Sequence, residues 1–386
     1  MSEQKPLEIA YVSYGDSADA MAASGVPHYL RQGFTGVAAA RISPVSARPG
    51  IVARLAAKLL SFRPRRADWE RNYLHGSVLP RMRSRLRTRR LRRLAPDADV
   101  VLHVRTWYSA ISVPYASFID ATVTMVRGYD DTWDLSDKQF AAETRIEGDF
   151  YRRALVVYTA SRAASQSLID DYGVAPERIV QVGAGRTLRG LTELSGERIA
   201  ERIRVPNILF VGKDPVRKGL PELLEAFSEI RGEFPKATLT IVGPEVERPE
   251  YSEPGVHWHG LVADKERVSE FYAAASVFVL PAHRESYGLV VPEAMSFGLP
   301  CVVSSTGELP YLVEDGVDGA VLAEVDATHI ASSIREILSD RTSYAELASA
   351  AYAKSGRFDW THIAQTMTDD MAERLRSGRE GESRTR

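Results

Sequence analysis

The stretch "SVFVLPAHRESYGLVVPEAMSFGLPCVV" (residues 276–303) decides the fold of this chain. It opens with a short apolar strand pattern, "SVFVLP", and closes with another, "LPCVV". Between them, Pro292, Glu293 and Gly298 predict a helix that begins near the proline and ends at the glycine. A buried strand, a loop, a helix and a second strand are typical of a parallel α/β sheet.

The same alternation extends in both directions along the chain. Strand patterns in the first half read "LEIAYVSY", "VVLHV", "ALVVYTA" and "RIVQVGA", and those in the second half read "NILFVG", "ATLTIVG", "VHWHG", "SVFVLP", "PCVVS" and "GAVLA". Helical segments such as "GLPELLEAFSEIRGEF" separate them. The sequence therefore predicts two Rossmann-like α/β domains facing across a cleft, with ligands at the carboxyl ends of the strands.

The predicted boundaries follow from where the alternation stops. Residues 1–186 are predicted to form an N-terminal Rossmann-like domain, and 207–357 a C-terminal one. The polar stretch 187–206 is expected to be a linker. We expect a C-terminal helix over 358–376 to return to the first domain, and a polar tail over 377–386.

Composition indicates an ordinary globular protein. The 386 residues are 44% hydrophobic, and the net charge of −2 does not indicate a nucleic-acid partner. The single cysteine, Cys301, lies in an apolar run, which predicts a buried packing residue and a reducing, cytoplasmic location. The N-terminus lacks a signal-peptide pattern, and no run of eighteen apolar residues predicts a membrane span.

One basic segment, within a predicted helical region over 50–95, breaks the alternation. Twelve arginines lie between Arg63 and Arg93, against only Asp68 and Glu70, with leucines and aromatic residues interleaved. One interpretation is a solvated helix pair. A second is a surface for anionic lipid headgroups or an acidic polymer, with Arg83, Arg87 and Arg90 as the residues to test. Nucleic acid is a third, although no recognised nucleic-acid motif accompanies the charge.

The turn in "FVGKDPVRKGL" (210–220) is a candidate phosphate site. It leaves a strand at Gly212 and enters a helix after Gly219, with Lys213 and Lys218 in between. Cations beside a helix N-terminus suit a diphosphate. An ordinary surface loop with two lysines is the alternative, and the order of residues is not that of a P-loop.

Two glutamates bracket the loop that follows "SVFVLP". Glu285 lies on the loop itself, and Glu293 lies in the first turn of the next predicted helix. The loop N–H groups and the helix start can face a phosphate, while each carboxylate accepts hydrogen bonds from hydroxyls on one side of it. A nucleoside diphosphate sugar has that layout, with ribose hydroxyls, a diphosphate and sugar hydroxyls in succession.

Together these features resemble a family 4 retaining glycosyltransferase, which has the GT-B fold and a Glu-x7-Glu motif. The landmarks cover roughly 205–360 in the family's order: "FVGKDPVRKG", "LLEAF", "ATLTIVG", "VHWHGLV", the stretch from "FYAAASVFVLP" to "VEDGVDGAVL", and "RFDW". The first half matches more loosely, through "IAYVSYG", "SGVPHYL" and the run from "RALVVYTAS" to "RIVQVGAG".

The resemblance implies that 1–186 is the acceptor domain and that 207–357 is the nucleotide-sugar-binding domain. It also implies roles for individual residues. Lys213 and Lys218 match the family's basic pair on the donor diphosphate, although the first position is more often arginine. Glu293 matches the glutamate that holds the ribose. Glu285 matches the glutamate near the transferred sugar.

Backbone contacts to the phosphates are implied in both halves. The backbone of Tyr287, Gly288 and Leu289 matches the family's phosphate-facing loop, and Gly25 matches a first-domain glycine near the phosphates and acceptor. Sugar transfer builds negative charge on the departing diphosphate, which lysines and N–H groups can stabilise without a metal or other cofactor. The "DAD" at 97–99 fits a metal-site pattern, but we expect it to cap the strand "VVLHV".

The acceptor side departs from the family pattern. Many relatives place a histidine after a first-domain strand, whereas this chain has Asp120 near that position in "YASFIDATVTMV". His103 lies one strand earlier. Asp120 in place of the histidine, His103 in that role, and a shifted alignment remain alternatives.

The resulting prediction is a hexosyltransferase that moves a sugar from a nucleotide donor to the hydroxyl of a glycan, a glycolipid or a small molecule. Its catalytic candidates are Glu285, Lys218, Lys213 and Asp120. Retention of configuration is implied by the resemblance alone. A phosphorylase, an epimerase-like enzyme and a nucleotide-sugar-binding protein without turnover are the alternatives. A peripheral position at the inner membrane face accompanies the cytoplasmic prediction.

Overall fold

A computed structural model of the chain describes residues 5–384, apart from 14–16, 19–24, 77, 106–108, 130–132, 192 and 245–252. The chain forms two compact units. One unit consists of Met1–Ala184 with Asp359–Arg386, and the other consists of Gly185–Phe358. In the described part of the chain, no helix combines the length and the apolar character needed to cross a bilayer.

The first unit is a parallel sheet with helices. Its sheet has the order β2-β1-β3-β4-β5-β6. The elements up to its last strand are β1 (Leu7–Ser13), α1 (Val26–Thr35), β2 (Ala40–Ser46), α2 (Ile51–Leu60), α3 (Arg66–His75), α4 (Val78–Leu94), β3 (Val100–Val104), β4 (Tyr115–Ile119), α5 (Val123–Val126), α6 (Asp137–Arg153), β5 (Val156–Thr159), α7 (Arg162–Asp170) and β6 (Ile179–Gln181).

The strands of this sheet were largely predictable from their composition. Every residue of β3 and β4 is buried, as expected for central strands covered on both faces. The four strands predicted in this half are confirmed. Two strands of the sheet, β2 and β4, are not among those four, and the edge strand β2 contains Pro44. Proline cannot donate to the ladder, but it is tolerated in an edge strand.

The second unit is a parallel sheet of order β12-β11-β10-β7-β8-β9. Its elements are α8 (Gly196–Arg204), β7 (Asn207–Val211), α9 (Leu220–Glu233), β8 (Thr238–Val242), β9 (Val256–Trp258), α10 (Lys265–Ala274), β10 (Val277–Leu280), α11 (Val290–Ser296), β11 (Cys301–Ser304), α12 (Leu309–Leu312), β12 (Gly319–Leu322), α13 (Ala327–Ser339) and α14 (Arg341–Lys354).

All six strands predicted in the second half are confirmed. Cys301 is buried in β11, as predicted. The helix after β10 begins at Val290, earlier than the predicted start at Pro292. Pro292 lies in the first turn, where a backbone N–H has no partner within the helix, so its missing N–H costs nothing there.

The last helix, α15 (Trp360–Arg384), belongs to the first unit. It lies so close to α1 that a Cβ on Gly33 would come within 2.3 Å of the Trp360 carbonyl oxygen. Tyr158 of β5 donates a 2.7 Å hydrogen bond to Asp370. The helix extends beyond its predicted end at 376, so residues 377–384 of the expected tail are helical.

The basic segment is partly buried, which corrects the expectation for two of its arginines. Arg83 and Arg87 are only 1% exposed, because they lie with Leu79 and Leu91 on the one face of α4 that is buried. Arg87 donates to the Ser109 carbonyl oxygen at 2.8 Å. Arg90 donates to the Ser46 carbonyl oxygen at 2.6 Å, so it too is bound to the protein. The exposed arginines of α4 are Arg81, Arg85, Arg89, Arg92 and Arg93.

Candidate active site

The second sheet has a switch point between β7 and β10. From β7 the chain adds β8 and β9 on one side, and then returns to add β10, β11 and β12 on the other. In open α/β sheets, ligands bind outside the carboxyl ends of the strands at such a point. The loops that follow β7 and β10 carry the predicted lysines and Glu285.

The loop after β7 is held by its own hydrogen bonds. Asp214 accepts from the backbone N–H and the guanidinium of Arg217, both at 3.1 Å. Arg217 in turn donates to the Arg284 carbonyl oxygen at 2.8 Å and so ties this loop to the one after β10. Lys213 is exposed in the same loop.

Lys218 and Glu285 form an ion pair across the switch point. Their side chains are 12% and 11% exposed, so water screens the pair only weakly. Burial, together with the charge of Arg217, lowers the pKa of Lys218 to about 7. The carboxylate of Asp214 acts in the opposite direction, because it favours the charged ammonium.

The loop after β10 turns sharply into α11. The Glu285 carboxylate accepts a 3.1 Å hydrogen bond from the N–H of Ser286, which fixes its direction. Gly288 has a φ of 94°, a conformation that glycine adopts without strain. Tyr287 is buried and Leu289 is half-buried immediately before α11. The predicted phosphate-facing loop is therefore a tight turn beside Glu285.

Glu293 is buried and surrounded by polar side chains of the same unit. Thr187 donates to one oxygen of its carboxylate, and Tyr272 donates to the other at 3.3 Å. Lys265 donates to the Thr187 hydroxyl at 2.9 Å. Burial raises the pKa of Glu293, against the lowering effect of these donors. Each carboxylate oxygen has a second lone pair for a ligand hydroxyl.

The stretch 187–206, expected as a linker, is part of the second unit. Thr187 contacts Glu293, and α8 includes Arg202, which donates to the Gly298 carbonyl oxygen at 3.1 Å. A Cβ on Gly190 would lie 2.3 Å from the Ser296 carbonyl oxygen. Its polar composition concealed these contacts, because polar side chains that bind buried groups resemble solvated ones in sequence. Sequence reasoning consequently missed Thr187, Tyr272 and Lys265.

The first sheet has its switch point between β1 and β3. Asp120 follows β4 at the carboxyl edge of this sheet, and Arg105 follows β3 beside it. The two side chains form an ion pair and are 32% and 38% exposed. Gly25 directly precedes α1, with a φ of 79°. Sequence reasoning named Asp120 and Gly25 as candidates but did not name Arg105.

Arg105 has a left-handed backbone, with a φ of 61°. Among the non-glycine residues that the structure describes, it is the one with a positive φ. This conformation costs roughly 1–2 kcal/mol for a residue with a Cβ. A partly exposed ion pair contributes about 0–1 kcal/mol, which does not offset that cost. The ion pair alone therefore does not explain an arginine at this position.

His103 and Asp99 lie in structural positions. His103 is fully buried in β3, 3.3 Å from Arg87 and packed against the rings of Tyr115 and Phe150. Burial and the nearby Arg87 charge lower its pKa. Asp99, from the "DAD" sequence, accepts a 3.1 Å hydrogen bond from the N–H of Glu8 at the start of β1. The contact joins the residue before β3 to β1, whereas the sequence predicted a cap on β3 itself.

Comparison with known proteins supports the resemblance inferred from the sequence. Residues 205–340 match the family described as "Glycosyl transferases group 1". The chain is 31% identical over 241 residues to a D-inositol 3-phosphate glycosyltransferase of Xylanimonas cellulosilytica, which covers 57% of each chain. This chain thus spans little more than half the length of that relative. The resemblance to the glycosyltransferase family is confirmed for the second unit.

Solved structures confirm the GT-B fold. Sucrose-phosphate synthase from Thermosynechococcus elongatus is similar with a TM-score of 0.69 at 19% identity, over 96% of this chain and all of that one. Anabaena HepE in complex with UDP-glucose is similar with a TM-score of 0.61 at 17% identity, over 95% of this chain and all of that one. At these identities the likeness concerns the fold.

Proposed function

We propose that the protein is a glycosyltransferase that moves a hexose from a nucleoside diphosphate sugar to an acceptor hydroxyl, with retention of configuration and without a metal. The observation that carries the proposal is the Lys218–Glu285 pair at the switch point of a sheet that matches the glycosyltransferase family. The structural neighbour bound to UDP-glucose supports a nucleotide-sugar donor. Retention rests on the family resemblance.

The donor is proposed to bind the second unit. An ammonium has three donors, so Lys218 can hold Glu285 and also donate to a phosphate oxygen. Exposed Lys213 adds positive charge, and the turn at Tyr287, Gly288 and Leu289 supplies backbone N–H groups. Glu285 then accepts from hydroxyls of the sugar, and Glu293 from those of the ribose.

In the transfer step, the bond from the anomeric carbon to the β-phosphate oxygen breaks, and a bond to the acceptor oxygen forms on the same face of the sugar, as retention requires. The electron pair of the broken bond leaves with the nucleoside diphosphate, where the two lysines stabilise its charge. The acceptor hydroxyl gives up its proton, for which Asp120 is the proposed base. The products are a nucleoside diphosphate and a glycoside.

A donor screen tests this function. The purified protein is incubated with UDP-, GDP- and ADP-sugars, with and without an acceptor panel, and nucleoside diphosphate release is measured. Release from one donor class that persists in EDTA supports metal-independent transfer, and NMR of the product gives its anomeric configuration. Donor binding without turnover across the acceptor panel would contradict the proposal.

The proposal predicts that UDP affinity weakens as the pH rises. With a pKa of about 7, Lys218 is mostly charged below neutral pH and increasingly neutral above it. Because a diphosphate binds the charged form, the apparent Kd should rise by up to tenfold per pH unit above about 7. Calorimetric titration with UDP from pH 6 to pH 9 measures this rise.

The matched control for the pH experiment is Lys218→Arg. A guanidinium keeps its charge throughout this range, so the variant should bind UDP with a nearly flat pH dependence. Equal slopes in the wild type and in Lys218→Arg would mean that Lys218 is not the titrating group.

A membrane position is part of the proposal, and it rests on α2 more than on α4. Ile51, Val52, Leu55, Leu59 and Leu60 are 58–81% exposed, so the apolar side of α2 faces solvent. Lys58 on α2 and Arg63, Arg65 and Arg66 after it are exposed cations, and residues 50–67 include no acid. Exposed apolar side chains with neighbouring exposed cations fit an anionic lipid surface.

The expected result is sedimentation of the wild type with vesicles that contain phosphatidylglycerol at low salt. A Leu55→Gln/Leu59→Gln double variant should bind more weakly by on the order of tenfold, because two apolar contacts are lost. Val113→Gln, at an exposed residue elsewhere in the first unit, should bind like the wild type. Wild type that stays in the supernatant, or equal binding by the double variant, would contradict the membrane position.

A further inference from the structure

Arg105 and Asp120 lie on neighbouring strands at the carboxyl edge of the first sheet. Arg105 is the first residue after β3, and Asp120 is the first after β4. Because β3 borders the switch point between β1 and β3, Arg105 lies where a ligand of this sheet is expected. Both side chains are about one-third exposed, so a solute can reach them.

The backbone at Arg105 is fixed in its left-handed conformation. Its N–H donates a 2.8 Å hydrogen bond to the Phe118 carbonyl oxygen, which continues the β3–β4 ladder past the end of β3. Glycine would adopt this φ of 61° without strain, and asparagine would do so at little cost. The chain instead has a long cationic side chain whose guanidinium contacts Asp120.

We infer that Arg105 is a positioning residue for the acceptor. It holds the Asp120 carboxylate at the edge of the sheet, where this carboxylate can accept a hydrogen bond from the acceptor hydroxyl. The left-handed turn aims the arginine side chain back at the end of β4. Strained backbone is retained at positions where the surrounding structure requires that direction, and such positions cluster at functional sites. This inference rests on the proposed transferase function.

An ion pair retained for stability is the competing explanation. Such a pair would have to contribute more than the left-handed backbone costs, and it makes the opposite prediction. A pair that served stability would make its loss destabilising. A pair that serves the acceptor would make Arg105→Gly as stable as the wild type, or more stable, because the substitution relieves the left-handed strain.

The experiment compares Arg105→Gly and Arg105→Asn with the wild type by thermal unfolding and by steady-state kinetics. We expect an unchanged or higher Tm, donor KM values within about twofold, and kcat/KM for the acceptor roughly 10- to 100-fold lower, the effect of a misplaced catalytic group. Arg105→Lys keeps the charge, so its kcat/KM for the acceptor should lie between that of the wild type and those of Arg105→Gly and Arg105→Asn. Arg127→Ala is the control, because it breaks another arginine–aspartate ion pair of the first unit, in which the arginine is 39% exposed and Asp137 is 98% exposed. This variant should keep the wild-type acceptor kinetics.

The outcomes separate this inference from the proposed function. If the wild type turns over donor and Arg105→Gly has equal kcat/KM for the acceptor, Arg105 does not position the acceptor. The same holds if the lower activity of Arg105→Gly and Arg105→Asn is accompanied by a lower Tm. If the wild type releases no nucleoside diphosphate from any donor with any acceptor, the transferase function itself is wrong, and this role falls with it.

Discussion

Replacing Lys218 by alanine is expected to lower kcat for sugar transfer by about 10²–10³-fold, the loss seen when one donor to a developing negative charge is removed. The ammonium of Lys218 is the cation that the fold brings against Glu285, and its side chain is 12% exposed. In such a weakly solvated place a single charge acts strongly on a departing diphosphate. The measurement is nucleoside diphosphate release under saturating donor and acceptor.

Replacing Glu285, the partner of Lys218, should also lower kcat, and the losses of the two single variants should not be additive in free energy. Glu285→Gln removes the negative charge but keeps the size of the side chain. Either single change already breaks the ion pair. The fold loss in kcat of the double variant should therefore be smaller than the product of the two single-variant losses. Fully multiplicative losses would mean that the two residues act independently.

Lys236→Ala provides the matched control for Lys218→Ala. Lys236 is an exposed lysine of the same unit, in the turn between α9 and β8. The variant should keep the wild-type kcat and Tm. If Lys218→Ala also retains kcat within about threefold of the wild type, too little for a lost donor to developing charge, then Lys218 does not stabilise the leaving group.

Local sequence patterns determined much of this fold and the ends of its strands. The predicted strands are short apolar runs that need both faces covered, and the fold covers them with helices. Once β10 and α11 are located, Glu285 must fall on the loop between them, and Lys218 must fall in the turn before α9. Both placements depend on chain order alone, and the sequence contains that information.

The contacts between site side chains could not be predicted from the sequence in the same way. Lys218 meets Glu285 across 67 residues of chain, and Thr187 meets Glu293 across 106. Such contacts depend on how two loops or a loop and a helix pack, which periodicity does not record. The left-handed backbone at Arg105 also has no local signal, since arginine rarely adopts it.

The basic segment contains a local sequence signal for the burial of two of its arginines. Leu79, Arg83, Arg87 and Leu91 recur every four residues, the spacing of one helix face. Two leucines on that face indicate burial, and the arginines between them are buried as well. An arginine can be accommodated there because its guanidinium donates to internal acceptors, as Arg87 does to Ser109.

A second large effect is expected at Gly219, which joins the lysine turn to α9. Gly219 has a φ of 72°, and a Cβ at this position would lie 1.9 Å from the Pro281 carbonyl oxygen in the loop after β10. Alanine there would have to push apart the two loops that flank the switch point. The unit should lose about 3 kcal/mol or more of unfolding free energy, from the left-handed strain and the clash together.

Gly316→Ala separates the two contributions. Gly316 has nearly the same φ, 73°, but among the described residues beyond its chain neighbours no atom lies within 4 Å of the point that a Cβ would occupy. This variant should therefore show only the strain, about 1–2 kcal/mol. Urea unfolding midpoints of the two variants, at unchanged m values, give the difference in their unfolding free energy. That difference is the contribution of the clash with Pro281. Equal midpoints would mean that the loops move apart at no cost.

The same substitution links stability to the site. Lys218 directly precedes Gly219, and its partner Glu285 lies in the loop that the new Cβ would displace. Any Gly219→Ala protein that remains folded below its lowered midpoint should therefore turn over donor much more slowly than Gly316→Ala at the same folded fraction. If the two variants had equal specific activity per folded molecule, the close approach of Gly219 to Pro281 would serve packing alone, without setting the distance between Lys218 and Glu285.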